Sequence, residues 1–169
     1  DSTTNPCRDA ETVETELMLA DLDSLEGRID NLTKKARGKD KDAEQQLEII
    51  EKILEGLKVG IPARNIDISK EYKRPLSMLN LLSSKPVLYV CNVDENDASK
   101  GNSYTNAVID YSKKNNASSI VISAKIESEI SQLSSNTERR EFLESMNLSE
   151  TGLTRLIQAG YSLLGLKTY

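Results

Sequence analysis

The chain contains no histidine among its 169 residues. That excludes imidazole acid–base catalysis, the Ser-His-Asp and Cys-His nucleophile systems, and histidine-containing zinc sites. Tryptophan is also absent, and aromatic residues make up only 4%, six Tyr and one Phe. So lean an aromatic content suits long solvated helices better than a thick core. There are two cysteines, Cys7 and Cys91, far apart and without a C-x-x-C partner. They are expected to be free thiols in a reducing compartment, although a bond between them is formally open. The longest uncharged apolar stretches, such as Leu17–Ala20 and Val87–Cys91, are much too short to cross a bilayer. No charged segment followed by an apolar run opens the chain, so a cytoplasmic protein without membrane partners is expected. With Lys+Arg 22 against Asp+Glu 27, the formal charge is −5, which argues against a globally basic nucleic-acid binder.

Two apolar series stand out. Leu22, Leu25, Ile29, Leu32 and Ala36 follow one another in alternating steps of three and four residues, and so do Ala43, Leu47, Ile50, Leu54 and Leu57. Each series is the a/d seam of a left-handed coiled coil. They mirror each other about Gly38-Lys39-Asp40, so that Ala36 faces Ala43 and Leu22 faces Leu57 in an antiparallel hairpin about 22 Å long. Gly38 is expected to cap the first helix and Asp40 to open the second. The tip is basic, with Lys34, Lys35, Arg37, Lys39 and Lys41 within eight residues. It admits two readings: contact with an RNA phosphate backbone, or a solvated turn whose cations suit a helix C-terminus.

After Gly60-Ile61-Pro62-Ala63 stops the second helix, a short helix is expected over Pro75–Leu82. Pro86–Cys91 reads as a buried strand, Ser103–Lys114 as a helix, and Ser119–Ile122 as a second buried strand. Strand, helix and strand at this spacing make a βαβ crossover with parallel strands. Beyond Lys125 the chain is expected to be helical, over Thr137–Met146 and again from Ser149-Glu150-Thr151-Gly152. Two parallel strands alone do not make a stable sheet, so the chain reads as an internal piece of a larger fold.

Both strands end in polar loops, where open α/β sheets bind ligands. The first loop reads Asn92-Val93-Asp94-Glu95 and the second Ser123-Ala124-Lys125. Asn-x-x-acid followed by Ser-Ala-Lys resembles the pair of base-reading loops of nucleotide-binding G domains. There, Asn steadies the loop and contacts N7 of the base, a Lys stem packs along it, and an Asp accepts two hydrogen bonds from guanine. A polar turn after a strand is the plain alternative for either loop alone. Asp94 reads as a loop-capping residue, and Lys125 either as a surface residue at a helix start or as packing beside the base.

The wider pattern is more specific. Arg8-Asp9, Glu14-Thr15-Glu16-Leu17, Ala20-Asp21-Leu22, the hairpin and Pro62-Ala63-Arg64 form one block. Leu79–Pro86, Asn92–Glu95 and Ser123–Glu127 form another, and Gly152-Leu153, Leu156-Ile157 and Ala159–Tyr161 lead into Leu163–Tyr169. Together they resemble the Obg-like ATPase (YchF) family of translation-factor-related P-loop proteins. The resemblance implies a mostly helical α/β fragment, a partial parallel sheet of a P-loop G domain with an inserted antiparallel coiled-coil hairpin. It divides the chain into a G-domain remnant (1–9), the hairpin (10–63), the C-terminal half of the G domain (64–164) and the lead-in to a TGS domain (165–169).

It further implies base contacts from Asn92, Val93, Glu95, Ser123, Ala124 and Lys125. The intact protein is expected to bind and hydrolyse ATP, or GTP, with Mg²⁺. The family's arm and TGS domain imply association with ribosomes or RNA, for which Lys34, Lys35, Arg37 and Lys39 are the candidate contacts beside the solvated-turn reading. Two departures from N-K-x-D bear on the base. Val93 replaces the Lys, and Glu95 replaces the guanine-reading Asp. No G-x-x-x-x-G-K-[ST] and no D-x-x-G switch occur, so the chain alone is expected to hold no nucleotide or metal and to be inactive. The competing reading is a non-enzymatic module whose hairpin docks on a ribosomal or protein partner.

Overall fold

A computed structural model describes residues 4–166, leaving aside the side chain of Lys73. The described residues form two compact units, 8–85 and 86–166, the latter joined by residues 4–7. The first three residues of the expected 1–9 remnant and the last three of the 165–169 lead-in lie outside the described residues.

The Arg8–Lys85 unit is built on α1 (Pro6–Arg37) and α2 (Lys41–Lys58). One stripe of α1 is buried, Glu14, Met18, Asp21 and Leu25, and it continues the apolar steps toward Ile29 and Leu32. Leu25, Ile50, Leu54 and Leu57 lie in one cluster with Met18, Ile49 and Ile53, and Leu22, Ile29 and Leu32 pack against it. An exposed Lys58–Glu26 ion pair of 3.9 Å joins the two helices away from the tip.

The turn between the helices differs from expectation in one respect. Helix α1 runs to Arg37, so Gly38 becomes the last half-helical residue and the left-handed conformation falls on Lys39, φ 63°. The N–H of Lys39 donates to Ala36 O (2.9 Å) and that of Asp40 to Lys35 O (3.4 Å), the two bonds of a Schellman ending. Asp40 caps α2 as expected, its Oδ1 accepting from the N–H groups of Asp42 and Ala43 at 3.0 and 3.2 Å.

Helix α2 buries more than the hairpin seam requires. Ile49 and Ile53 belong to a second flank, and Ala63, Ile66, Ile68, Tyr72, Leu76, Leu79 and Leu81 share the cluster. The approach is close: a Cβ at Gly56 would collide with the Ile66 side chain. Helix α3 occupies Lys73–Met78, earlier than the expected Pro75–Leu82. Pro75 fits the first turn because the N–H it lacks has no intrahelical acceptor there. The chain then leaves the helix, with Asn80 at φ 54°.

Residues 79–85 are held by side chains instead of a helix. The Asp21 carboxylate, 2% exposed, accepts from the N–H groups of Leu82 and Ser83 (both 2.7 Å) and from Ser83 Oγ (2.6 Å). Ser83 Oγ in turn accepts from the N–H of Ala63 at 3.1 Å. Beside it, Arg64 Nη2 meets Glu14 Oε1 at 2.7 Å, with both side chains at least 90% buried.

In the second unit, β1 (Leu88–Asn92) and β2 (Ser118–Ile122) pair in parallel, with Leu88 opposite Ser118 and Asn92 opposite Ile122. Helix α4 (Ser103–Lys114) makes the crossover, opened by a capping box between Asn102 and Thr105. The strands are half-buried rather than buried as expected, and Val90 stands 44% exposed. Helices α4 and α7 (Gly152–Leu163) pack on this small sheet. Helix α5 (Ala124–Gln132) and helix α6 (Asn136–Ser145) share a core of Ala98, Ile126, Ile130, Phe142, Leu143 and Met146. Cys7 and Cys91 are free thiols. No helix among the described residues is long and apolar enough to cross a membrane.

Candidate functional site

Parallel pairing brings the carboxyl ends of β1 and β2 side by side, and with them the two polar loops. The ladder ends where the Val93 N–H donates to the Ile122 carbonyl at 2.9 Å. Immediately beyond, the Ala124 N–H donates to Oδ1 of Asn92 at 2.9 Å, so the first loop's Asn holds the second loop's backbone. This bond fixes the amide orientation: with Oδ1 committed as acceptor, Nδ2 is the group left to donate outward.

The first loop is stiffened from within. Glu95–Asp97 forms a 3-10 turn, with the Asp97 and Ala98 N–H groups donating to Asp94 O (3.0 Å) and Glu95 O (3.2 Å). Asn102 Nδ2 donates to Asp97 Oδ2 at 2.8 Å, tying the far end of the loop to the start of α4. Ala98 is 2% exposed and packs with Ile126 of α5, which sets the turn against the helix that follows the second loop. Asp94 occupies the cap position of the 3-10 turn, but its side chain makes no cap hydrogen bond. The turn closes through backbone bonds alone, so the capping role expected of Asp94 is not seen.

Glu95 and Lys125 meet. Lys125 Nζ lies 2.6 Å from Glu95 Oε2, with side-chain exposures of 67% and 27%. The hydrogen bond and charge of Glu95 raise the Lys125 pKa above its ordinary 10.5. Ser123 is buried at 3%, and its Oγ has no hydrogen-bond partner among the described residues. All six residues expected around a base thus lie on two adjoining loops, Asn92, Ala124 and Lys125 exposed, Val93 and Glu95 half-buried, and Ser123 beneath them. Lys34, Lys35, Arg37 and Lys39 are all exposed at the hairpin tip in the other unit. Among the described residues, no group of three or more Cys, Asp or Glu is placed to hold a metal ion.

Sequence reasoning did not single out Glu127. Its carboxylate accepts from the N–H groups of Gly152 (2.6 Å) and Leu153 (3.1 Å), linking the helix after the second loop to the start of α7. Nor did it pair Glu95 with Lys125, thirty residues apart.

A parallel βαβ unit with helices on a small sheet and two interlocked loops at its carboxyl edge is part of a G-domain fold. The chain is 43% identical over 167 residues to the ribosome-binding ATPase YchF of Bacillus subtilis, covering 98% of this chain and 45% of that protein. It is 41% identical over 165 residues to the protein of the same name from Escherichia coli O157:H7, again covering 45% of it. A solved structure, the YchF GTPase of Schizosaccharomyces pombe, superposes with a TM-score of 0.85 at 25% identity, covering 97% of this chain and 45% of that one. No protein-family model matches the chain. Over nearly its whole length the chain is similar to these YchF proteins, and it spans about 45% of the length of the curated relatives it matches.

Proposed function

We propose that this chain supplies the base-reading half of a nucleotide site in a longer protein that binds and hydrolyses ATP, with GTP as the lesser substrate. The Asn92–Ala124 hydrogen bond carries the reading, because it joins the two motif loops at the edge where such sheets hold ligands. In this account Asn92 Nδ2 donates to N7, an acceptor common to both purines. The buried Ser123 and the exposed backbone at Ala124 and Lys125 line the opposite side, and Val93 packs where a Lys stem would lie. The carboxylate of Glu95, engaged by Lys125, makes no strong contact with guanine.

The proposed division is a remnant (1–9), a coiled-coil insert (10–63), the C-terminal half of the G domain (64–164) and a lead-in to a TGS domain (165–169). Mg²⁺ accompanies the nucleotide, but the described residues do not fit a site for it. Its ligands belong with the P-loop, which this sequence does not contain. The chain alone therefore neither hydrolyses nucleotide nor binds it tightly. Titrating ATP into the 169-residue chain and into a full-length protein joining it to a P-loop tests this. Micromolar binding to the chain alone would overturn the reading.

The relatives compared are named ribosome-binding. We assign the same association to a cytoplasmic protein here, with Lys34, Lys35, Arg37 and Lys39 meeting RNA phosphates. Removing these four charges should weaken co-sedimentation with ribosomes and flatten its salt dependence. Unchanged co-sedimentation favours a solvated turn. If the full-length protein binds no nucleotide yet still binds a ribosomal or protein partner through the hairpin, the non-enzymatic module is the correct reading.

A further inference from the structure

The Glu95–Lys125 pair lies at the junction of the two loops. Glu95 begins a 3-10 turn anchored by Ala98, and Lys125 is in the first turn of α5, anchored by Ile126, so both backbones are fixed by the same small core. The Nζ–Oε2 distance is 2.6 Å. A carboxylate facing a purine discriminates strongly by chemistry. Guanine presents two adjacent N–H donors on its Watson–Crick edge and welcomes an acceptor, whereas adenine presents a lone pair at N1 and is repelled by one. A carboxylate partly neutralised and hydrogen-bonded through one oxygen by an ammonium group does both less strongly.

We infer that Lys125 is a specificity-determining residue: by engaging Glu95 it lessens the carboxylate's attraction for guanine and its repulsion of adenine. The inference rests on the proposed nucleotide site and adds to it the residue that sets the choice of base. Its consequence is specific. Specificity for adenine depends on Lys125 even where Lys125 does not touch the base.

The test is the ratio of ATP to GTP affinity in the full-length protein, for wild type, Lys125→Met, Lys125→Arg, Glu95→Gln and the double variant Glu95→Gln/Lys125→Met. Lys125→Met should shift the ratio toward GTP by about twofold to fivefold. Lys125→Arg should keep the wild-type ratio. The double variant should lose the shift, because no carboxylate remains to be released. An unchanged ratio in Lys125→Met, or an equal shift in the double variant, overturns the inference while leaving the nucleotide site standing. A wild-type protein that binds neither nucleotide overturns the site itself and the inference with it.

Discussion

The carboxylate of Glu127 closes the N-terminus of α7, accepting from the N–H of Gly152 at 2.6 Å and of Leu153 at 3.1 Å. Glu127 sits in the first turn of α5, just after the second loop, so this cap fixes α7 relative to the candidate site. Gly152 is closely packed there: an added Cβ would lie 3.0 Å from both Glu127 Oε1 and Ile122 Cγ2, so those side chains would have to give by a few tenths of an ångström. Glu127→Ala should destabilise the unit by about 1–2 kcal/mol, typical of a lost charged cap. Urea denaturation, with amide exchange at Gly152 and Leu153, measures it. Exchange at those two amides should accelerate most.

Asp21 is the fastening point of residues 82–83 in the other unit, taking three hydrogen bonds while 2% exposed. Asp21→Ala should cost about 2–4 kcal/mol, because the buried N–H and hydroxyl of Ser83 and the partly buried N–H of Leu82 lose their acceptor together. Thermal or chemical unfolding of the variant reads the loss directly. A change within a few tenths of a kcal/mol would contradict the account.

The Glu14–Arg64 pair is buried on both sides, at 10% and 8% side-chain exposure. Arg64→Ala should destabilise by about 3–5 kcal/mol by leaving a carboxylate buried without its countercharge. Replacing both residues by Met should cost much less than the single change. That inequality, measured by denaturation, separates desolvation from simple loss of contact.

Lys125 gives a pH signature. Its pKa is raised, first by the hydrogen bond to Glu95 and then by that residue's charge. The protonated form is favoured in the folded state, so the contribution is fully present below the unfolded value of 10.5 and is lost as pH rises through the folded one. The stability difference between wild type and Lys125→Met should therefore be flat across neutral pH and shrink only in strong alkali. A difference that vanishes near neutrality would show that the pair does not persist in solution.

Much of this arrangement was legible in the sequence, for definable reasons. The hairpin announced itself because Leu25, Ile50 and Leu54 recur at the period of a helix seam, and the βαβ unit because apolar runs ended in polar motifs. The buried acids were not legible. Glu14 and Asp21 continue the buried stripe of α1, yet an acid between helical seam positions is indistinguishable by pattern from a solvated one. Their partners, Arg64 and residues 82–83, lie far along the chain. Ile49 and Ile53 were overlooked because a two-helix reading needs only one flank of α2, whereas residues 63–81 cover a second. The left-handed turn fell on Lys39 instead of Gly38 because α1 extended one residue further, a boundary that composition does not fix. Asn92, Val93, Glu95, Ser123, Ala124 and Lys125 were named from their motifs. The contact between Glu95 and Lys125 needed coordinates, since it depends on how the 3-10 turn aims one side chain.

The most direct test of the account is the affinity of the full-length protein for ATP, in the presence of Mg²⁺, with and without Asn92→Ala. This change removes both the amide that holds Ala124 and the proposed donor to the base. The account predicts nucleotide binding by the wild type and a loss of about tenfold or more in the variant, with the helical content of the protein retained. Equal affinity in the two proteins would contradict it.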